Sequence, residues 1–564
     1  SADREDTLEA IESNPETIRN IRLLDPVVSK PTYQNLQAIL GFYKFQDLDV
    51  DRYPIEVYGK KQTTQVVLSA RELNSDTVPQ KSWEGLHLAY THGYSVALSP
   101  ANATNADGSP NFIVGGVPTQ VSDTIEMPID RPQLYFGESL GTDYTIVGTD
   151  RAEVDYFDQS RNENVPTDYT GTGGVGLDSA VRQAAFFLRF DFEWNLLFSN
   201  FVTRDSRIMY IRDVQDRVRT VAPFLEFDND PYPVVINGKI VYVIDGYTTS
   251  GNYPNAQRAD VEDVASGSGL RSSFNYVRNS VKAVVDAYDG TVTLYVVDES
   301  DPIVQAYAKA FPDLFEPDSA VPSELREHFR YPEDLFKVQT AAWGRYHITD
   351  PNAFYEQTTA WAVAQDPGTE VSTGPATTTT AAPPPGTPAT APSSRPASRI
   401  NPYYLLMRLP GEESESFVMM RSFVQYSTDD SKKQLTSFMV AKSDPGQYGK
   451  LISYEVRAPN LPNGPALVNG AIQSSPDIAT RITQLNAQGS KVAYGDLILV
   501  PVDKSLLYVR PMYVSSAGQT STPLLKYVIV VWDTESEGTR VAMEETLKES
   551  LDKLFDADAE TLEE

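Results

Sequence analysis

Two dipeptides constrain the fold of this chain more than any other feature. In VVINGKIVYVIDGY (234–247) two β-rich runs flank Asn237-Gly238, a pair that accepts positive φ at both central turn positions and so closes a tight hairpin. KAVVDAYDGTVTLYVVD (282–298) repeats the pattern around Asp289-Gly290. Hairpins join strands that run antiparallel, so the sheets are expected to be mainly antiparallel rather than wound through βαβ crossovers. Further strands are expected at QVVLSA, YTIVGT, ISYEV, DLILVPV and SLLYVRPMYV. The most apolar run, LLKYVIVVW (524–532), contains Lys526 and falls well short of the roughly 18 residues that cross a bilayer, so it reads as a buried strand.

Helices are interspersed. IVQAYAKAFPDLF, from Ile303, follows Asp301 as an N-cap and Pro302 at the first helical position. LDSAVRQAAFFLRFDFEWNLLFSN (177–200) reads as one long helix capped by Asp178 or Ser179. Met543, Leu547, Leu551 and Phe555 recur every fourth residue and predict a C-terminal amphipathic helix, with a fraying acidic tail, DADAETLEE. The fold class is therefore α+β. With 564 residues the chain exceeds what one core usually fills, so two or three subdomains are expected. PGTEVSTGPATTTTAAPPPGTPATAPSSRPASR has almost no apolar bulk and cannot join a core. It divides a larger N-terminal region (1–366, with a split expected near 165–175) from a smaller C-terminal one (401–564). The stretch between, 367–400, reads equally as a linker or as a loop inserted in one fold; its Thr/Pro content also suits O-glycosylation outside the cell.

Charge and cysteine content exclude several functions. Lys and Arg total 47 against 77 Asp and Glu, a net charge of −30, which repels nucleic-acid phosphates. With no cysteine there is no thiol nucleophile, Cys-ligated zinc, iron–sulfur cluster or disulfide. The opening SADREDTLEAIES is neither a signal peptide nor a natural start and reads as a cut within a longer protein.

Metal chemistry has its candidates among the acids. Asp47, Asp49 and Asp51 alternate in DLDVD, so an extended backbone turns all three carboxylates one way. Asp228 and Asp230 flank Asn229 before a proline, and Asp298 and Asp301 lie in VVDESDP. Calcium is the metal such oxygens would suit, although none of these segments matches an EF-hand loop, and turn or cap chemistry explains each equally. His92 is the candidate histidine; His87 lies five residues before it, not the four that put both on one helix face. GTGGVG (171–176) satisfies a glycine-rich pattern, but no buried strand precedes it, so no nucleotide cofactor is expected. No G-x-S-x-G elbow is present, and no catalytic residue stands out. Trp83, Trp343 and Trp361 are candidates for stacking on sugar rings.

Ten segments in this order carry a resemblance: QVVLSAREL, HLAYTHGYSVALSP, RPQLYFGE, APFLEFDNDPYPVV, DGYTTS, NYVRNSVKAVVDAYDG, RYPEDLFKVQ, YHITDP, RLPGEE and AKSDPGQYG. Together they resemble an uncharacterised family of large membrane proteins of actinobacteria, with relatives in cyanobacteria and other bacteria. The resemblance implies about seven transmembrane helices ahead of a long extracytoplasmic region, of which this chain is the soluble part. It supplies no catalytic residues. The expected role is a binding, assembly or transport-accessory module in the cell envelope, non-enzymatic, with a glycan, lipid or protein ligand. The alternatives are a metal-assisted envelope hydrolase using His92 and nearby carboxylates, and an oligomeric structural domain.

Overall fold

The Asn237-Gly238 turn closes as the sequence predicts: both residues adopt positive φ, 48° and 73°, and join strands Tyr232–Ile236 and Lys239–Ser250. In the computed structural model of the chain the described residues are 4–38, 41–259, 268–270, 273–368, 398–457, 460–487, 489–503, 505–516, 518, 521–534 and 538–555.

Four sheets organise them. The first runs Asp49–Val57, Lys60–Ala70, Val96–Pro100, Val114–Gly115 and Gln120–Val121. The second is built on Lys239–Ser250 and Tyr276–Asp286. The third centres on Glu415–Gln425 and Leu435–Lys442, the fourth on Ser505–Ser516 and Leu524–Thr534. Among the described residues every named strand pair is antiparallel except Val292–Val296 with Phe315–Pro317. The fold is α+β, as expected.

Strand alternation explains how the layers stack. Val66 and Leu68 of the first sheet face a core shared with Tyr242, Ile244, Val281 and Ala283 of the second. Val67, between them, faces the other way onto Tyr33, Phe45 and Ala97. The third and fourth sheets close a second core around Met420, Phe423, Val440, Tyr508, Val530 and Trp532. Residues far upstream enter the same core, among them Ile11, Ile21, Leu23, Tyr331 and Phe336.

The Thr/Pro segment leaves and rejoins one sheet. Strand Trp361–Val363 before it and strand Tyr403–Arg408 after it both pair with Glu415–Gln425, and Gln365 bridges Arg399. Residues 369–397 of the segment lie outside the described residues. Across the expected split near 165–175, Tyr144–Val147 and Val175–Gly176 both pair with Arg207–Tyr210.

Two helices differ from expectation. The helix expected over 177–200 is two short helices, Ala180–Arg189 and Asn195–Phe198. Asp191 and Phe192 between them adopt left-handed φ of 49° and 64°, which no helix continues through. Ser179, not Asp178, caps the first, accepting from Arg182 N–H. At the C-terminus the helix is Leu547–Phe555, while Met543 belongs to strand Gly538–Glu544; the expected fraying tail (556–564) lies outside the described residues. The helix Pro302–Ala310 is capped by Asp301 as predicted.

Residues 328–331 join three sheets. Arg330 donates to Val50 O of the first sheet (3.0 Å), and its own carbonyl accepts from Lys282 Nζ of the second (2.7 Å). The Tyr331 carbonyl accepts from Tyr404 OH of the third (2.7 Å). Lys282 stands opposite Asp245 in register, and the two fully buried charges lie 2.5 Å apart. Removing one partner strands the other in a medium that cannot solvate it. We predict that Lys282→Met lowers the urea-unfolding free energy by about 3–5 kcal/mol, and that Lys282→Met with Asp245→Leu recovers most of the loss. A double variant no more stable than the single would contradict this account.

Candidate functional site

The DLDVD motif turns its carboxylates toward one guanidinium. Strand Asp49–Val57 alternates, so Val50 packs on Leu406 and Phe417 while Asp49 and Asp51 face the other way. Asp49 Oδ1 accepts from Arg330 Nη2 at 2.6 Å, both side chains being buried. Asp51 Oδ2 lies 2.7 Å from His328 Nδ1, and Asp51 Oδ1 lies 3.5 Å from Arg52. Burial alone would raise the Asp51 carboxyl, yet His328, Arg52 and Arg330 hold it below its usual value. Arg330 is sandwiched by rings, 3.8 Å from the Tyr232 centroid and 5.3 Å from that of Tyr404.

Asp49 has a second oxygen, Oδ2, buried and without a hydrogen-bond partner among the described residues. Carboxylates from four separate stretches of chain, Asp47, Glu72, Glu138 and Asp230, interact electrostatically with Asp49 or with one another. Glu72 is held by the N–H groups of Glu138 (2.5 Å) and Ser139 (2.8 Å) and by Tyr242 OH (2.9 Å). Gly137 permits this approach, since a Cβ there would sit 2.2 Å from Glu72 Oε1. Asp47, Glu138 and Asp230 are half-buried and keep some contact with solvent. Burial first, then neighbouring carboxylates, Asp49 among them in each case, push all three well above the usual carboxylate range. The positive charges acting here are Arg330, on Asp47 and Asp230, and Lys44, on Glu72. Five carboxylates thus share a space with fewer cations, an arrangement that retains protons or accepts a positively charged group.

Beside this cluster lies a fully buried one. Asp228 accepts from Tyr247 OH and, through Oδ1, from Asp230 N–H (3.1 Å). Burial and the nearby charges of Asp334 and Asp245 push Asp228 up to about 8. Asp334 accepts from Gly269 N–H at 2.7 Å.

The other candidates lie elsewhere or serve the fold. His92 donates from Nδ1 to Gly93 O (2.9 Å), and its Nε2 is buried and has no hydrogen-bond partner among the described residues. Burial, with a further contribution from the Arg212 charge, lowers it to about 4, so the ring is neutral at pH 7. Asp298 pairs with Arg278 at 3.0 Å and accepts from Ser300. Asp301 accepts from Ile303 N–H, Tyr276, Thr248 and Ser280, and although burial raises it, these bonds hold it low. The glycine-rich loop already holds an anion: Thr172 and Gly173 N–H donate to Asp289 Oδ1 (3.0 and 3.3 Å). Trp83 donates to Tyr144 OH, and Trp361 stacks on His347. Among the described residues no three His, Asp or Glu side chains converge tightly enough to hold a metal ion. Sequence reasoning passed over Glu72, Glu138, His328 and Arg330; the last two carry no local motif, and only tertiary contact brings them to DLDVD.

Comparison with known proteins gives a family without an assigned activity. The profile of the "Uncharacterised protein family (UPF0182)" matches residues 1–485. A UPF0182 protein of Frankia alni is 39% identical over 557 residues, covering 96% of this chain and 50% of the relative. One of Trichodesmium erythraeum is 38% identical over 564 residues, covering 97% and 56%. One of the archaeon Methanospirillum hungatei is 38% identical over 547 residues, covering 97% and 55%. The relatives are therefore not confined to actinobacteria and cyanobacteria, and the chain spans about half the length of the curated relatives it matches. No solved structure matches.

The raised Asp228 carboxyl sets a pH dependence. The folded chain keeps that proton up to about pH 8, whereas the unfolded chain releases it near the ordinary carboxyl value of 3.8. The folded state binds more protons between these values, so this contribution to stability is complete at low pH and fades as pH rises through 8. We predict that Asp228→Asn, neutral throughout, flattens the decline in unfolding free energy between pH 5 and 8. Parallel slopes for the two proteins in denaturant titrations would refute the shift.

Proposed function

We propose, on the premise that this chain belongs to the uncharacterised protein family UPF0182, that it is the extracytoplasmic binding domain of a larger envelope membrane protein and that the acidic cluster is its ligand site. The observation that carries the site is the buried Asp49 Oδ2, without a hydrogen-bond partner among the described residues, on a carboxylate that interacts electrostatically with Asp47 and Asp230. A ligand bearing spread positive charge, such as an ammonium or guanidinium group, suits oxygens that are dispersed rather than converged on one point. It would offset the mutual repulsion that, after burial, raises Asp47, Glu138 and Asp230. The share of the relatives' length outside this chain, about half, leaves room for a membrane part.

Two experiments test the two halves of the reading. Calorimetric titration at pH 7.5 with spermidine is expected to detect binding that Asp47→Asn with Asp230→Asn weakens about tenfold, a loss of some 1.4 kcal/mol. Calcium chloride, run in parallel, is expected to bind more weakly. Absence of binding by both probes, or equal binding by the variant, overturns the site. For location, a single introduced thiol serves as the reporter: this chain has no cysteine, and any cysteine elsewhere in the intact gene product is first replaced by serine. In cells producing the intact gene product with Tyr355→Cys, a position 87% exposed, a membrane-impermeant maleimide is expected to label before lysis. Labelling only after lysis overturns the placement.

A further inference from the structure

The two-helix segment at Ala180–Arg189 and Asn195–Phe198 is tied down from one side only. Phe186 and Leu196 are buried with Leu88, Ile146 and Ile208, which anchors the pair to the sheet beneath. Its other side turns apolar surface outward: Val181 is 79% exposed, Leu188 60%, Phe192 59%, Trp194 60% and Phe198 71%. These rings are contiguous. Phe187 lies 5.3 Å from Phe192 and 4.9 Å from Trp194, and Trp194 stacks on Phe198 at 5.7 Å between centroids. Soluble chains seldom leave so large an apolar patch uncovered without a use for it. Its conformation also has a cost: two consecutive left-handed residues that are not glycine, Asp191 and Phe192, hold the turn. Nothing in the core requires that strain, since both side chains are exposed.

Charge distinguishes this surface from the rest. From residue 178 to 207 four arginines (182, 189, 204, 207) balance four carboxylates (178, 191, 193, 205), so the stretch is neutral in a chain of net charge −30. A cavity of about 530 Å³ is lined by Arg182, Arg204 and Arg207 together with Asp178 and Asp205. Arg207 spends its donors on the carbonyls of Thr172, Gly173 and Gly174, and Arg182 pairs with Asp178 at 2.8 Å. Arg204 makes no ion pair among the described residues.

We propose that this aromatic hairpin is a bilayer contact, with Leu188, Phe192, Trp194 and Phe198 entering the boundary between headgroups and acyl chains and Arg204 meeting lipid phosphates. Trp and Phe beside arginine is the composition that favours that boundary. The charge balance favours it too. At physiological salt fields fade within about 8 Å, so a neutral, arginine-bearing patch approaches an anionic membrane that the rest of this surface would be repelled by. The proposal is independent of the acidic cluster, and the chain itself isolates the effect: no helix among the described residues is long and apolar enough to cross a membrane.

The test is co-sedimentation of the chain with vesicles of phosphatidylcholine and phosphatidylglycerol in equal parts. Binding is expected, with quenching of tryptophan fluorescence by brominated acyl chains. The triple variant Leu188→Ser, Trp194→Ser, Phe198→Ser is expected to lose about tenfold in partitioning while its unfolding temperature stays that of the wild type, because all three side chains are exposed. Arg204→Glu is expected to weaken binding to these vesicles but not to pure phosphatidylcholine. Failure of the wild-type chain to sediment, or equal sedimentation of the triple variant, overturns the proposal. So does light scattering that finds the wild type self-associated and the triple variant monomeric, since a second copy would then cover the patch.

Discussion

The segment around Arg330 is the constraint on which the rest of the structure depends. A guanidinium buried beside Tyr232 and Tyr404 is shielded from solvent, so acceptors within the protein must stabilise it. Nη2 and Nη1 find them on the first sheet, at Asp49 and Val50, Nε has no hydrogen-bond partner among the described residues, and the Arg330 carbonyl receives Lys282 from the second. Tyr331, next in sequence, is tied to the third sheet through Ser443 and Tyr404. Apolar packing between sheets is nondirectional and would tolerate sliding; these polar bonds fix one register between the layers. The same guanidinium acts on Asp47, Asp49 and Asp51, so the element that aligns the sheets also sets the electrostatics of the acidic cluster.

Much of the secondary structure was legible because its signals are local. Asn237-Gly238 specifies its turn by backbone freedom, and Asp301-Pro302 specifies a helix start by one side chain and one fixed φ. The helix expected over 177–200 failed for a related reason. Apolar residues lie on all sides of that stretch and neither Gly nor Pro marks the break, so one helix reads as well as two. Met543 fell at helical spacing from Leu547 by coincidence, since a strand ends at Glu544 between them.

The site was legible only in part, and for a physical reason. Alternation in DLDVD rightly turned Asp49 and Asp51 to one side, because side-chain direction in a strand is a local property. What those carboxylates meet is not local: Arg330 and His328 lie 281 and 277 residues along the chain. Yet Glu72, Glu138, Asp228, Asp230, Asp245, Arg330 and Asp334 all come from segments that carry the family resemblance. Stretches scattered over the sequence thus meet in one buried polar region.

The strands flanking residues 369–397 pair with the same neighbour, and Gln365 touches Arg399 across the gap. The ends are therefore fixed by the sheet, whatever lies between them. Closing a chain over fixed ends becomes costlier only with the logarithm of its length, about 0.6 kcal/mol for each doubling. Evolution can lengthen, shorten or rewrite this stretch at almost no thermodynamic expense, which makes it the natural port for cargo: a glycan array, a tether or an entire guest domain could be spliced in there while the host keeps its shape.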